Sequence, residues 1–276
     1  MAFHQKVWFV TGASRGFGRI WTEAALDRGD KVVATARDPE ALNELVTTYG
    51  NSMLALPLDV TDRDAVFKTV EQAHQQFGHL DVILCNAGYG YMSTIEEMVP
   101  EDAQKNIDTN LFGTLSVIQA ALPILRRQHS GHILTMSSIG GIASFPSGGI
   151  YLATKFAIEA LSEALAGEVA SFGIKVTIIE PGSFKTGFGT STVAASPMPE
   201  YDALRKAARA SFKPEMTGDP AATAAAILKV VDAENPPMRL MLGNWLLPMM
   251  KQVYQRRIET WEEWAAVSNA AQGDAG

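Results

Sequence analysis

The 276-residue chain contains a single cysteine, Cys85. An intramolecular disulfide framework is therefore excluded and folding rests on a hydrophobic core; Cys85 itself, set in an apolar run, reads as an inert core thiol. No stretch reaches the roughly 18 consecutive apolar residues of a membrane-spanning helix, so no membrane insertion is expected. Met1 to Gln5 lead straight into the apolar run 7–10, without the long apolar region and cleavage site of a secretory leader, and a cytoplasmic location is expected. Basic charge is in deficit, with 23 Lys and Arg against 30 Asp and Glu and a net charge of −7. That balance argues against broad nucleic-acid or anionic-membrane binding. His4, His74, His79, His129 and His132 form no metal-ligand spacing, so no metal site is expected. Internal repeats and Ser/Gly-rich linkers are missing as well.

What is present is the composition of a globular protein, 47% hydrophobic and 19% charged, at a length that fits one large α/β domain. Strand-like runs fall at 6–11, 31–36, 53–58, 81–86, 132–137, 175–180 and 239–242. Most are continuously apolar, the pattern of parallel strands covered on both faces. Helical patterns lie between them at 17–28, 39–49, 62–77, 100–128, 151–172 and 220–233. The alternation predicts a single-domain Rossmann fold, a doubly wound parallel seven-stranded sheet with helices on both faces. Residues 1–244 are expected to form the nucleotide-binding domain, including an irregular substrate loop at 187–216. Residues 245–276 read as a C-terminal helical extension whose polar end, 268–276, is frayed.

The first strand runs into Thr11-Gly12-Ala13-Ser14-Arg15-Gly16-Phe17-Gly18, and a helix follows. Gly12 suits a tight turn, Gly16 a close approach to pyrophosphate, and Gly18 close helix–strand packing, with the helix N-terminus facing the phosphates. An NAD-binding unit usually places an acid about 20 residues on, for the ribose 2′-hydroxyl. Here the second strand ends Thr35-Ala36-Arg37-Asp38. Arg37, with Arg15 from the glycine turn, suits a 2′-phosphate, so NADP is expected; Asp38 keeps NAD as the alternative. Asp59, followed by Val60, either bonds the adenine amino group or caps the next helix. Asn86-Ala87-Gly88 ends the fourth strand at the carboxyl edge, where a ligand's ribose can approach.

Tyr151 and Lys155 stand four residues apart, on one helix face. An ammonium about 5 Å from the phenol, at an effective dielectric of about 20, favours phenolate by roughly 3 kcal/mol, or about two pKa units. Ser138, at the end of the fifth strand, can donate to a substrate oxygen; strand alternation sends it and the competing Ser137 to opposite sides, and Ser138 is preferred. Asn110, inside the helix at 100–128, either bonds a backbone carbonyl and holds a water beside Lys155 or is a satisfied mid-helix amide. Tyr89, Met92, Phe145 and Phe188 are pocket candidates. Met249, Met250 and Tyr254 either cover the site or pack on another subunit.

Together, TGASRGFG, LDV at 58–60, NAG at 86–88, Asn110, Ser138, YLATK at 151–155 and Pro181-Gly182 with Thr186 resemble the short-chain dehydrogenase/reductase family, in its compact single-domain branch. The resemblance covers roughly residues 6–190. It implies a catalytic tetrad of Asn110, Ser138, Tyr151 and Lys155, with Lys155 also on the nicotinamide ribose and Pro181, Gly182, Phe184 and Thr186 at the nicotinamide end. The stretch 180–186 looks like the retinol-dehydrogenase-like and 17β-hydroxysteroid-dehydrogenase-like members, which implies a hydrophobic alcohol or ketone. It also implies dimers or tetramers through the helices at 100–128 and 151–172. Cys85 stands where the family often has a second Asn, and residues after Trp245 match no family motif. The expected reaction is reversible hydride transfer between NADPH and a carbonyl carbon, with Tyr151 as the acid/base. The competing readings are an NAD-dependent alcohol dehydrogenase, an NADP-binding sensor without turnover, and nucleotide-sugar chemistry.

Overall fold

A computed structural model describes residues 5–211 and 213–273. Its main sheet has seven parallel strands, β1 Val7–Thr11, β2 Lys31–Ala36, β3 Met53–Pro57, β4 Val82–Cys85, β5 Gly131–Met136, β6 Ile174–Pro181 and β7 Arg239–Leu242. The order across the sheet is β3-β2-β1-β4-β5-β6-β7. Chain direction across the sheet reverses between β1 and β4, and ligand crevices in such sheets open at that switch point, beyond the strands' carboxyl ends. Alternation along β1 explains how both faces are covered. Val7 and Phe9 enter one core with Val66 and Val70 of α3 (Arg63–Phe77), Val117 and Ala121 of α5 (Gly113–Gln128) and Leu165 of α6 (Gly149–Val169). Trp8 and Val10 enter the other, with Trp21 of α1 (Gly16–Asp27), Leu45 of α2 (Asn43–Tyr49) and Ile227 of α9 (Ala224–Asp232).

Several expectations need correction. The helix expected at 100–128 is α4 (Pro100–Ile107) joined to α5 by a π turn at Asp108–Phe112, closed by the Gly113 N–H on the Asp108 carbonyl. One extra residue in that turn sets Asn110 at its centre, and such bulges are frequent at functional sites. The 187–216 segment is not irregular. It contains α7 (Phe188–Ser191) and α8 (Asp202–Ser211), and its Val193–Ala194 pairs with Tyr91–Met92. Glu97 latches it, accepting from Met198 N at 2.7 Å and Arg205 Nη1 at 2.6 Å. The Met198 and Thr94 N–H groups, assisted by Arg205, hold that carboxyl down at about 2. The C-terminal segment forms α10 (Leu246–Glu263) and α11 (Ala265–Ala270), so Ser268 to Ala270, expected to fray, are helical. The end of that segment, 274–276, lies outside the described residues, as does His4.

His132, on β5, is buried with Nε2 2.9 Å from Thr177 Oγ1. The Thr177 proton goes to the Pro237 carbonyl, so Nε2 is the donor and Nδ1 is left without a partner. Burial, with Lys175 and Lys6 adding, holds the ring down at about 3. In the unfolded chain the ring titrates near 6.5 and so takes up its proton first. Stability present above about pH 6.5 is therefore lost as the pH falls toward 3. Thermal unfolding followed across that window should show Tm falling in the native protein and a shallower fall in His132→Leu. Equal slopes would remove His132 from the acid sensitivity.

Candidate active site

The site begins where β1 stops. Gly12 turns the chain at φ +68°, and a Cβ there would lie 2.9 Å from Ala87 Cα. Two turns of structure then meet without room for side chains: a Cβ on Gly18 would overlap the Gly12 carbonyl and lie 2.5 Å from Asn86 Nδ2. Asn86 itself is a clamp. Its Nδ2 donates to the carbonyls of Thr11 at 3.0 Å and Gly12 at 2.9 Å. Thr11 Oγ1 accepts in turn from the N–H groups of Asn86 and Ala87. Arg15 is the N-cap of α1, but its side chain makes no cap bond. The first-turn N–H groups of a twelve-residue helix are thus left to a ligand in the cleft, and together with the bare glycines they fit a pyrophosphate.

A cavity of about 2020 Å³ runs from this turn to the far side of the sheet edge. It touches every candidate site residue except Gly18, which lies beneath the turn, and Asn110, which lies behind Gly88. Ser14, Arg15, Gly16, Phe17, Arg37, Asp59 and Val60 line one end, and Ser138, Tyr151, Lys155, Pro181, Gly182, Phe184 and Thr186 the other, with Asn86 to Gly88 between. Arg15 and Arg37 are exposed, and their guanidinium groups make no hydrogen bond or ion pair among the described residues. The Asp38 carboxylate, by contrast, accepts from Glu40 N at 3.0 Å and starts a 3-10 turn. Asp59 does not cap α3. Asp62 does, accepting from Ala65 N, while Asp59 accepts from Thr61 N and Oγ1. Phe17 stacks on Trp21 at 4.9 Å and meets Phe184 edge-on at 5.3 Å, tying the glycine turn to the 181–186 loop.

At the other end, Ser138 follows β5 and its Oγ accepts from Gly140 N at 3.0 Å. Ser137 is buried, whereas Ser138 faces the phenol of Tyr151. Lys155 is buried one turn along α6, its Nζ donating to the Met136 carbonyl at 2.8 Å and lying 5.8 Å from the Tyr151 ring centre. The electrostatics of the chain by itself run against the sequence estimate. Burial pushes Tyr151 up to about 12, with Ser138 pulling the other way, and burial brings Lys155 down to about 8, with Glu159 opposing. Removing both charges from water outweighs their mutual attraction, so the phenol is in its proton-donor form.

Asn110 is a satisfied amide. Its Nδ2 donates to the Tyr89 carbonyl at 3.0 Å and to Thr154 Oγ1 at 3.2 Å, and its Oδ1 accepts from Tyr89 N at 3.0 Å. Asn106, not singled out from the sequence, donates to the same carbonyl; its four-residue offset from Asn110 was the available signal. Tyr89, Met92, Phe145 and Phe188 all line the cavity, and the Phe188 ring lies 5.6 Å from that of Tyr151. Met249, Met250 and Tyr254 do not. Trp245, which sequence reading missed as a site residue, does: its Nε1 donates to the Met216 carbonyl at 2.8 Å, and a Cβ on Gly182 would meet its ring at 2.9 Å. Cys85 is buried and pushed up to about 12, an unreactive thiol. Among the described residues no helix is long and apolar enough to cross a membrane.

A family model described as short chain dehydrogenase matches residues 6–196. An oxidoreductase of Botryotinia fuckeliana, BOA17, is 41% identical over 243 residues, covering 86% of this chain and 89% of its own. A 3-ketodihydrosphingosine reductase of Bacteroides thetaiotaomicron is 36% identical over 239 residues, 85% of this chain and 86% of its own. Among solved structures, a short-chain dehydrogenase from Streptomyces avermitilis superposes with a TM-score of 0.90 at 38% identity, covering 98% of this chain and 99% of that one. An alcohol dehydrogenase from Thermococcus sibiricus, complexed with 5-hydroxy-NADP, does so with 0.74 at 27% identity, covering 87% and 97%.

Proposed function

The chain belongs to the short-chain dehydrogenase/reductase family, oxidoreductases of alcohol and carbonyl groups that use a nicotinamide dinucleotide, and on that premise we propose that it interconverts a hydrophobic ketone or aldehyde and its alcohol with NADP(H). The observation that carries the reading is the meeting, in one cavity, of an uncapped helix end framed by bare glycines with the Ser138, Tyr151 and Lys155 side chains. When bound, the dinucleotide supplies or accepts the hydride. Ser138 holds the carbonyl oxygen by a hydrogen bond that strengthens as charge develops there. Tyr151, protonated in the resting chain, gives its proton to that oxygen in reduction and takes it back in oxidation. Lys155, fixed by the Met136 carbonyl, holds a positive charge beside the phenolate left behind. Asn110 fixes the Tyr89 backbone and, through Thr154, the helix turn that carries Lys155. Phe188, Phe145 and Met92 give the substrate end an apolar wall.

NADP is favoured by two guanidinium groups that are unpaired among the described residues, Arg37 just past β2, where an NAD site would hold a free carboxylate, and Arg15 at the head of α1. Asp38 is a poor substitute because its oxygen is engaged by Glu40 N. A panel of ketones, aldehydes and alcohols assayed with both dinucleotides tests the whole reading. Turnover of an apolar carbonyl with NADPH is expected; dinucleotide binding without turnover on any member would favour the sensor. In Arg37→Asp the NADPH/NADH ratio of kcat/KM should fall by about 10- to 100-fold, the loss of one charge-assisted bond. An unchanged ratio would assign the preference elsewhere.

A further inference from the structure

The first turns of α10 dock on the body of the protein. Leu246 and Met250 are buried, Met250 and Val253 pack beside Ile142 and Ala143, and Arg257 donates to the Ile142 carbonyl at 2.9 Å. The neighbouring face is apolar and bare. Leu247, Tyr254, Ile258 and Trp261 are exposed by 56, 47, 41 and 65%, and past the joint with α11 Trp264 and Val267 by 58 and 61%. The offsets 0, 7, 11 and 14 put the first four in one line along the helix, the spacing of a coiled-coil seam. With about 200 Å² for a large side chain, these exposures leave about 650 Å² of such surface. That exceeds a typical monomer's largest patch and approaches the ≈ 800 Å² per partner of a standard interface.

Charge says what covers it. Lys251, Arg256 and Arg257 come first along α10, and Glu259, Glu262 and Glu263 follow. Lys251, four residues after Leu247 and three before Tyr254, is the one charged residue in the line itself, and Glu262, four residues after Ile258, lies beside it. A second copy laid antiparallel sets Lys251 of each against Glu262 of the partner subunit, with the two-fold axis near residues 256–257; a parallel copy opposes like charges. An anionic lipid surface gains nothing from a helix whose basic and acidic residues cancel, on a chain of net charge −7. We propose that the exposed face of α10 and α11 is a self-complementary interface that pairs two copies of this chain antiparallel. The pairing is independent of the catalytic assignments.

Cysteine cross-linking tests it on the full chain, because Cys85 is buried and an introduced thiol is the reactive one. Ile258→Cys, close to the axis, should oxidise to a covalent dimer. Leu247→Cys should not, since antiparallel pairing separates the two copies of that position by roughly 28 Å at 1.5 Å per residue. Tyr254→Glu/Trp261→Glu should halve the native mass measured by light scattering, with turnover kept as the check on folding. Cross-linking at both positions would overturn the antiparallel arrangement. Failure at 258 with an unchanged mass in the double variant would overturn the interface, as would a native protein that stays unpaired and binds phosphatidylserine vesicles through these tryptophans.

Discussion

Tyr151→Phe should lower kcat by about 10²- to 10⁴-fold, the range of a positioned general acid or base, while NADPH affinity measured by fluorescence titration stays close to native. The substitution removes one oxygen and keeps the ring, so the packing against Phe188 and the covered position of Lys155 survive. What disappears, in the proposed reaction, is the proton that neutralises the substrate oxygen as the carbon is reduced. Because the loss falls on a step after binding, kcat and kcat/KM should drop together. Native turnover in Tyr151→Phe would remove Tyr151 from the chemistry. Weakened binding with undiminished kcat would make it a ligand contact instead.

Gly18→Ala should raise the dissociation constant for the dinucleotide by about 5- to 150-fold, the equivalent of 1–3 kcal/mol of overpacking. The added methyl meets the Gly12 carbonyl and the Asn86 amide. Neither can yield, since one is backbone and the other is held by two carbonyls. The turn must open, and with it the proposed seat for the phosphates at the head of α1. Gly167→Ala provides the control: it lies in α6 with nothing within 4 Å of the new Cβ, and should leave binding unchanged. Equal affinities for Gly18→Ala and the native protein would show that the turn is not the phosphate seat.

The sheet is legible in the sequence because buried parallel strands are near-continuous apolar runs, and all seven lie within one residue of their expected ends. The glycine turn and the Tyr151–Lys155 pair are legible because their spacing is local. Contacts made across the fold are not. Nothing near Gly182 in the chain announces Trp245, and nothing near Glu97 announces Met198 and Arg205 a hundred residues on. The π turn is hidden because 100–128 keeps an apolar rhythm through it. The direction of the tyrosine's titration is missed for a different reason. Spacing gives the distance between two charges, but the cost of drying both depends on everything packed around them.

The open end of α1 also has a consequence for handling the protein. A helix that finishes no bond of its own at that point, in front of a roomy cleft, is a receptor for any small oxyanion of suitable size. Inorganic phosphate and sulfate should therefore compete with the dinucleotide for that seat, raising its apparent KM and leaving kcat unchanged in a titration with either salt. The carbonyl or alcohol, held at the far end of the cleft by Ser138 and Tyr151 in the proposed reaction, should not compete with those salts.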